Sequence, residues 1–289
     1  MKICALTMVH RDYWALSRWY AHHGALIGPE NLFVIAHGAD PRIQEICPKA
    51  SVLTIPRETF EGFDKVRGNL LNGIMGGLLG GTYDIAIRTD ADELVCFDPD
   101  RYESLQAVVT AHDAPVLTAL GFDLVEMPED ATLDEGSVFA QRSALAFSGH
   151  YSKAVIARRA VDFQLHGTRV APRRVDGFPF VMPRGLYLAH LKYANGVALD
   201  DSTQVREAVG QSGAKGAPGA GWSEASRDRA EFISSFEQKK EVDWDRAETQ
   251  AYEALSVKPA RLPKFNLVKA RALKMPLRTR LPQRFSGQG

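Results

Sequence analysis

At 289 residues, with 45% hydrophobic and 24% charged residues, the chain has an ordinary globular composition and room for one large α/β domain or two small ones. Its 35 basic and 35 acidic residues cancel, which excludes a global pull toward nucleic acid or an anionic membrane and leaves that to local patches. Cys4, Cys47 and Cys96 have no metal-ligand spacing, and Cys4 and Cys96 sit in apolar, strand-like surroundings; both points favour buried, reduced thiols and a cytoplasmic setting.

Met1 to Val9 is too short, and too quickly followed by His10-Arg11-Asp12, for a signal peptide. The longest apolar stretch, Leu70 to Gly81, is about half the ~20 residues that a spanning helix needs. Ile3 to Val9 reads as a first strand covered on both faces. Asp12 to Ala25 reads as a helix with Asp12 as candidate N-cap, with Trp14 and Trp19 as core residues at helical spacing and His22 and His23 at the helix end. Asn31 to Ala36 and Ser51 to Ile55 are further strands, with a turn at His37-Gly38-Ala39-Asp40-Pro41. Asp64 to Leu79 carries a helical stripe of Val66, Leu70, Leu71, Ile74, Leu78 and Leu79. Lys65, Arg67 and Asn69 lie on its first turns, where a diphosphate would sit if the helix runs back toward the sheet edge.

Tyr83 to Thr89 is an apolar strand that stops at Asp90-Ala91-Asp92-Glu93. Three acids within four residues repel one another, and carboxylates spaced i and i+2 at a strand end can converge on a hard divalent ion, leaving positions for water and phosphate oxygens. A solvated acidic turn is the competing reading. Strands alternating with helices imply a parallel sheet, in which ligands bind beyond the carboxyl ends of the strands. Here those ends are Thr7 to Asp12, His37 to Asp40 and Asp90 to Glu93, all polar and expected along one edge as a candidate nucleotide site.

The segment from Tyr83 to Pro99 resembles the strand and D-x-D-E element of glycosyltransferases of the GT-A fold, especially the family 2-like and family 92-like groups. The opening is similar too, with a first strand, an Arg/Asp turn, a helix ending in the run Trp19 to Gly28 and a second strand; the likeness covers roughly residues 1 to 195. It implies a nucleotide-sugar donor linked to UDP or GDP, with Asp40 near the base, Asp90 near the ribose or a metal-bound water, and Asp92 on Mn2+ or Mg2+. It also implies a late histidine completing the metal shell, which is His190 in Leu188-Ala189-His190-Leu191-Lys192-Tyr193, with His166 as competitor. A lysine before a strand, here Lys153, is a further similar feature. A haloacid-dehalogenase-type phosphatase would place its D-x-D on the first strand, with Thr or Val where this chain has Leu94.

Asp100 to Ala111 reads as a helix, Pro115 to Leu120 as a strand and Gly121 to Gly136 as an acidic surface loop able to supply a catalytic base, with no residue singled out. Ala154 to Arg158 and Gly185 to Leu191 are strands. After residue 195 the pattern becomes helical: a Gly/Ala-rich loop or lid at Gly210 to Gly221, then helices at Ser223 to Lys240, capped by Ser223, and at Trp244 to Leu255, capped by Asp243. Residues 258 to 289 form a basic, proline-containing tail without acids, suited to peripheral contact with the inner face of a membrane or to disorder. The sequence therefore points to a metal-dependent glycosyltransferase with a saccharide or lipid-linked acceptor, nucleic acid being an unexpected partner. A non-catalytic nucleotide- or sugar-binding relative is the alternative.

Overall fold

The computed structural model describes residues 1–57, 62–211 and 224–289. The first half runs β1 (Ile3–Val9), α1 (Tyr13–Ile27), β2 (Leu32–His37), α2 (Pro41–Ile46), β3 (Ser51–Ile55), α3 (Phe63–Gly81), β4 (Ile85–Arg88), β5 (Glu93–Phe97), α4 (Leu105–Ala111), β6 (Val116–Thr118), β7 (Leu120–Val125) and α5 (Val138–Gln141). The second half runs β8 (Ala144–Phe147), β9 (Ala154–Ala157), β10 (Asp162–Gln164), β11 (Arg169–Ala171), β12 (Leu186–Tyr193), α6 (Gly196–Gly210), α7 (Ala225–Glu237), β13 (Lys240–Glu241), α8 (Trp244–Ser256), β14 (Ala260–Leu262), β15 (Leu267–Lys269) and β16 (Leu277–Arg280).

Alternation along β1 builds the first layer. Ile3, Ala5 and Val9 join the core that holds Leu16 and Trp19 of α1, whereas Cys4, Leu6 and Met8 join the one that holds Leu71 and Met75 of α3. A strand apolar at every position is thus covered by a helix on each face. The sheet has the order β3-β2-β1-β4-β9-β6. Its first four strands are parallel, and β9 and β6 extend it antiparallel. This is the expected α/β architecture, with the carboxyl ends of β1, β2 and β4 on one edge.

The second sheet has the order β13-β16-β8-β7-β12-β5 and carries the chain immediately after Asp92. Its β12 runs antiparallel to β5 and parallel to β7, which sets Glu93, His190 and Asp123 in one register row. At Gly121 in β7 an added Cβ would lie 2.1 Å from the carbonyl oxygen of Tyr151. Only glycine lets the strand pass so close beneath that loop.

Several elements differ from expectation. Val66 is exposed rather than part of the α3 stripe, because on the first turn of the helix Asp64 and Arg67 take the inward, cleft-facing positions. The helix expected from Asp100 begins at Leu105, where the Ser104 side chain accepts the Ala107 N–H. The stretch read as an acidic loop starts as the fully buried strand β7. His22 and His23, expected at the helix end, are buried within α1, which continues to Ile27. Ser223 and residues 212 to 221 of the glycine-rich stretch lie outside the described residues, while Asp243 does cap α8 by accepting the Arg246 N–H.

The basic C-terminal segment is not a free tail. Its β15 pairs with β11 and its β16 with β8, and Leu267, Val268, Met275, Leu281 and Phe285 are buried. Those apolar side chains face the core, which removes them from any amphipathic face. The Gln288 side chain brackets the backbone of Phe97, accepting its N–H at 3.2 Å and donating to its carbonyl at 2.8 Å, and Arg284 pairs with Asp98 at 2.8 Å. No helix among the described residues is long and apolar enough to cross a membrane.

Candidate functional site

A cleft of about 910 Å3 opens at the carboxyl ends of β1, β2 and β4 and is walled on its other side by the second sheet, α6 and α7. His10, Arg11 and Asp12 enter from β1, His37 from β2 and Asp90 to Glu93 from β4, so the three polar strand ends do meet. The His10 ring nitrogen Nδ1 lies 2.9 Å from the His37 carbonyl oxygen and ties two of those ends together.

Asp90 and Asp92 leave the turn into different surroundings. Both oxygens of Asp90 are held by cations: Oδ1 is 3.1 Å from Arg67 and 3.0 Å from His166, and Oδ2 is 3.4 Å from Lys153. Burial alone would raise this carboxyl, but His166, Lys153 and Arg67 outweigh it and hold Asp90 well below the usual carboxylate range. His166 in turn is pulled up by the Asp90 charge, against burial, and its Nε2 faces Asp64 at 3.4 Å. Leu165 and His166 both take left-handed backbone, with φ of 44° and 56°, so the turn that delivers the imidazole to Asp90 is conformationally strained.

Asp92 faces the opposite side. Its Oδ2 lies 3.5 Å from His190 Nε2 and 3.2 Å from the Arg206 guanidinium of α6. His190 Nδ1 donates to Asp123 Oδ1 at 2.7 Å, and the ring stacks on Tyr151 with centroids 3.8 Å apart. Burial opposes the charge on this imidazole, yet the bonds to Asp123 and Asp92 push it up to about 9, and burial likewise fails to stop His190 and Arg206 from pulling Asp92 down. Arg206 also reaches Asp12 at 3.7 Å; burial, then the neighbouring Asp92, raises the Asp12 carboxyl to about 6. Asp12 stands at the N-cap position of α1 without a side-chain capping bond and turns into the cleft.

Glu93 closes the turn. Its Oε2 accepts the Asp90 N–H at 3.1 Å and its other oxygen pairs with buried Lys153. Asp12, Arg67, Asp90, Asp92, His166 and His190 are therefore gathered in one cleft, as are Lys153 and Glu93. Three expected residues are not, one of them Asn69, which is exposed on α3 and absent from the cleft wall. Asp40 caps α2, accepting the Arg42 N–H at 3.1 Å and the Tyr13 hydroxyl at 2.8 Å, and is absent from the cleft wall. Lys65 is exposed on the side of α3 away from the cleft, since Arg67 takes the inward position on that turn.

The idea of Asp90 as a metal ligand also meets a physical obstacle, because both its oxygens are engaged by cations. Among the described residues no group of three or more His, Cys, Asp or Glu side chains is arranged to hold an ion. Asp92 Oδ2 and His190 Nε2 converge as an oxygen and a nitrogen donor for an ion that displaces Arg206 and the Nε2 proton, with the imidazole oriented from behind by Asp123 as in carboxylate–histidine–metal arrangements. The sequence reading counts Asp123 only among the acids of a surface loop, and Arg206 escapes it altogether. An acid inside the apolar run Leu120-Gly121-Phe122-Asp123-Leu124-Val125 was the available signal for the first; nothing local marks Arg206.

The histidines set a pH dependence of stability. Burial pushes His10, His22, His23, His37, His112 and His150 below their ordinary value, which is six of the eight in the chain. Below about pH 6.5 the unfolded chain binds protons that these folded residues refuse, at up to ~1.4 kcal/mol per pH unit for each group. The raised His166 and His190 and the raised carboxyls of Asp12 and Glu93 oppose this, four groups against six. Urea unfolding is expected to show a lower midpoint at pH 5.5 than at pH 7.5; an unchanged or higher midpoint contradicts it.

No family model matches the chain, and no curated protein matches it. Among solved structures it is similar to mannose-1-phosphate geranyltransferase from Thermus thermophilus, at 16% identity and a TM-score of 0.30 over 51% of this chain and 50% of that one. It is similar to a cytidylyltransferase from Leptospira borgpetersenii serovar Hardjo-bovis at 17% identity and a TM-score of 0.28, over 41% of this chain and 54% of that one. TarS from S. aureus follows at 11% identity and a TM-score of 0.37, over 72% of this chain and 38% of that one. The chain spans about half the length of the first two, and likenesses at this level assign no activity.

Proposed function

We propose that this chain is a glycosyltransferase that moves a sugar from a nucleoside diphosphate donor to a hydroxyl acceptor. The observation that carries the reading is the Asp123–His190–Asp92 chain at the open end of the parallel strands, set in a cleft lined by Arg11, Arg67, Lys153 and Arg206. Asp92 and His190 are the pair that would hold Mn2+ or Mg2+, donor types that manganese accepts, with the remaining positions left to diphosphate oxygens and water. Such an ion would neutralise charge that builds on the departing diphosphate. Asp123 keeps one His190 proton on Nδ1, so an ion at Nε2 would displace only the second proton, the one that faces Asp92. Arg67, Lys153 and His166 keep Asp90 ionised as an acceptor for a ribose hydroxyl, and Arg206, released from Asp92, is within reach of phosphate oxygens.

Incubation with UDP- and GDP-sugars and manganese, with nucleoside diphosphate release as the readout, tests the reading. Release that depends on metal supports it. Tight metal-dependent nucleotide binding with no release under any acceptor would instead support a non-catalytic binding protein. Asp123→Asn is expected to weaken manganese binding about 10- to 100-fold, because the imidazole loses the partner that orients it. Titration of manganese in the presence of UDP reads this, and unaltered affinity would remove Asp123 from the mechanism.

A further inference from the structure

Helix α6 places a cation where its packing calls for an apolar side chain. Leu199 and Thr203 are buried on the inward face of that helix, and Arg206 continues the same stripe. Its side chain is 12% exposed and turns into the cleft, with Ser202 and Val205 beside it on the wall. The helix is fixed at its start, where Glu126 accepts the Gly196 N–H at 2.6 Å and the Asn195 side chain accepts the Ala198 N–H at 3.1 Å.

Two carboxylates hold this cation. The same guanidinium nitrogen lies 3.2 Å from Asp92 Oδ2 and 3.7 Å from Asp12 Oδ2. Without it the two acids would face each other: after burial, Asp92 is the neighbour that raises the Asp12 carboxyl, and Arg206 is the one that pulls it back. Asp92 Oδ2 is also the atom that faces His190 Nε2 at 3.5 Å, so the oxygen that an ion would take up is the oxygen that the guanidinium holds. A guanidinium does not lose its charge near neutral pH and has to move aside. A diphosphate offers it a destination, because its planar N–H donors pair with phosphate oxygens as well as with carboxylates.

We propose that Arg206 is a resident stand-in for the divalent ion, keeping the Asp92–His190 pair closed to metal until a nucleoside diphosphate draws the guanidinium away. The role rests on the metal-dependent transferase reading and adds an order of assembly to it: metal binds well only with nucleotide. A pair that is open about a tenth of the time or less binds an ion at least about tenfold more weakly than one that is always open. By reciprocity, the factor that nucleotide adds to metal affinity is the factor that metal adds to nucleotide affinity.

The test is calorimetric titration of manganese chloride into the full chain, without nucleotide and with saturating UDP, for wild type, Arg206→Gln and Arg206→Lys. Without UDP, Arg206→Gln is expected to bind manganese at least about tenfold more tightly than wild type. With UDP the gap should close or reverse, because the variant has also lost a phosphate partner. Arg206→Lys keeps the charge but loses the fork that reaches both acids, and should bind at least about threefold more tightly than wild type; it carries the test if the glutamine variant does not fold. Equal manganese affinity in all three proteins without UDP, while UDP and manganese still bind together, overturns the stand-in and leaves the transferase reading intact. No manganese binding by any of them, even with UDP, overturns the metal site of that reading and the stand-in with it. Tighter manganese binding by the variants, with no effect of UDP on any protein, upholds Arg206 as the occupant of the pair and overturns the order of assembly.

Discussion

Asp92→Ala is expected to abolish the stabilisation that a nucleoside diphosphate and manganese confer together. At about a hundred times its dissociation constant a ligand adds ~2.7 kcal/mol, which for a domain of this size raises the melting temperature by roughly 5–10 °C. The shift should require nucleotide and metal together and appear with UDP or with GDP, which identifies the donor class. In the variant it should shrink to whatever the nucleotide contributes alone, and turnover should fall at least roughly 100-fold, as loss of a metal-bound group costs more than loss of its supporting partner. The fold should survive, because Arg206 keeps Asp12 and His190 keeps Asp123. Asp90→Ala should behave differently, since it strands Arg67, Lys153 and His166 around a missing anion and so lowers stability before any ligand is added. An Asp92→Ala protein that still shows the full metal-dependent shift would move the ion elsewhere and leave Asp92 as an anchor for Arg206.

The parts of this site that were legible in the sequence are those written by local pattern. The strand endings at Asp12 and Asp90 follow from apolar runs that stop at acids, and the parallel arrangement puts them on one edge whatever the remaining chain does. Asp92 and His190 were paired only through resemblance. Their meeting depends on β12 returning antiparallel beside β5, a register that no local feature declares. Asp40 shows the reverse failure. An acid before Pro41 is first a helix cap, and α2 starts there with the side chain consumed, so a polar residue at the correct strand end contributes nothing to the cleft wall. The basic tail misled for a related reason: composition reports Lys and Arg but not that the interspersed Leu267, Val268, Leu281 and Phe285 face inward.

Lys153→Met is expected to destabilise the chain by about 3–5 kcal/mol, because it removes the cation from a buried pair and leaves Glu93 and Asp90 facing low-dielectric surroundings. Lys153 is 3% exposed and Glu93 1%, so water cannot replace the lost partner. Burial works against the Lys153 charge, but Glu93 and Asp90 restore it and hold the ammonium above its ordinary value; burial pushes the Glu93 carboxyl up, with Lys153 pulling it back. Urea unfolding at pH 7.5 measures the loss. In Lys153→Met/Glu93→Gln the buried charge is gone from both sides, while the amide oxygen can still accept the Asp90 N–H, so most of the loss should return, to within about 1–2 kcal/mol of wild type. Asp90 would then rest on Arg67 and His166 alone. A recovered double variant that binds nucleotide normally would make the Lys153–Glu93 pair a device for shaping the turn that aims Asp90 and Asp92 apart. Stability recovered without nucleotide binding would mean that the Lys153 charge itself faces the donor. A single variant costing under about 1 kcal/mol would show that the pair is solvated in solution and plays neither part.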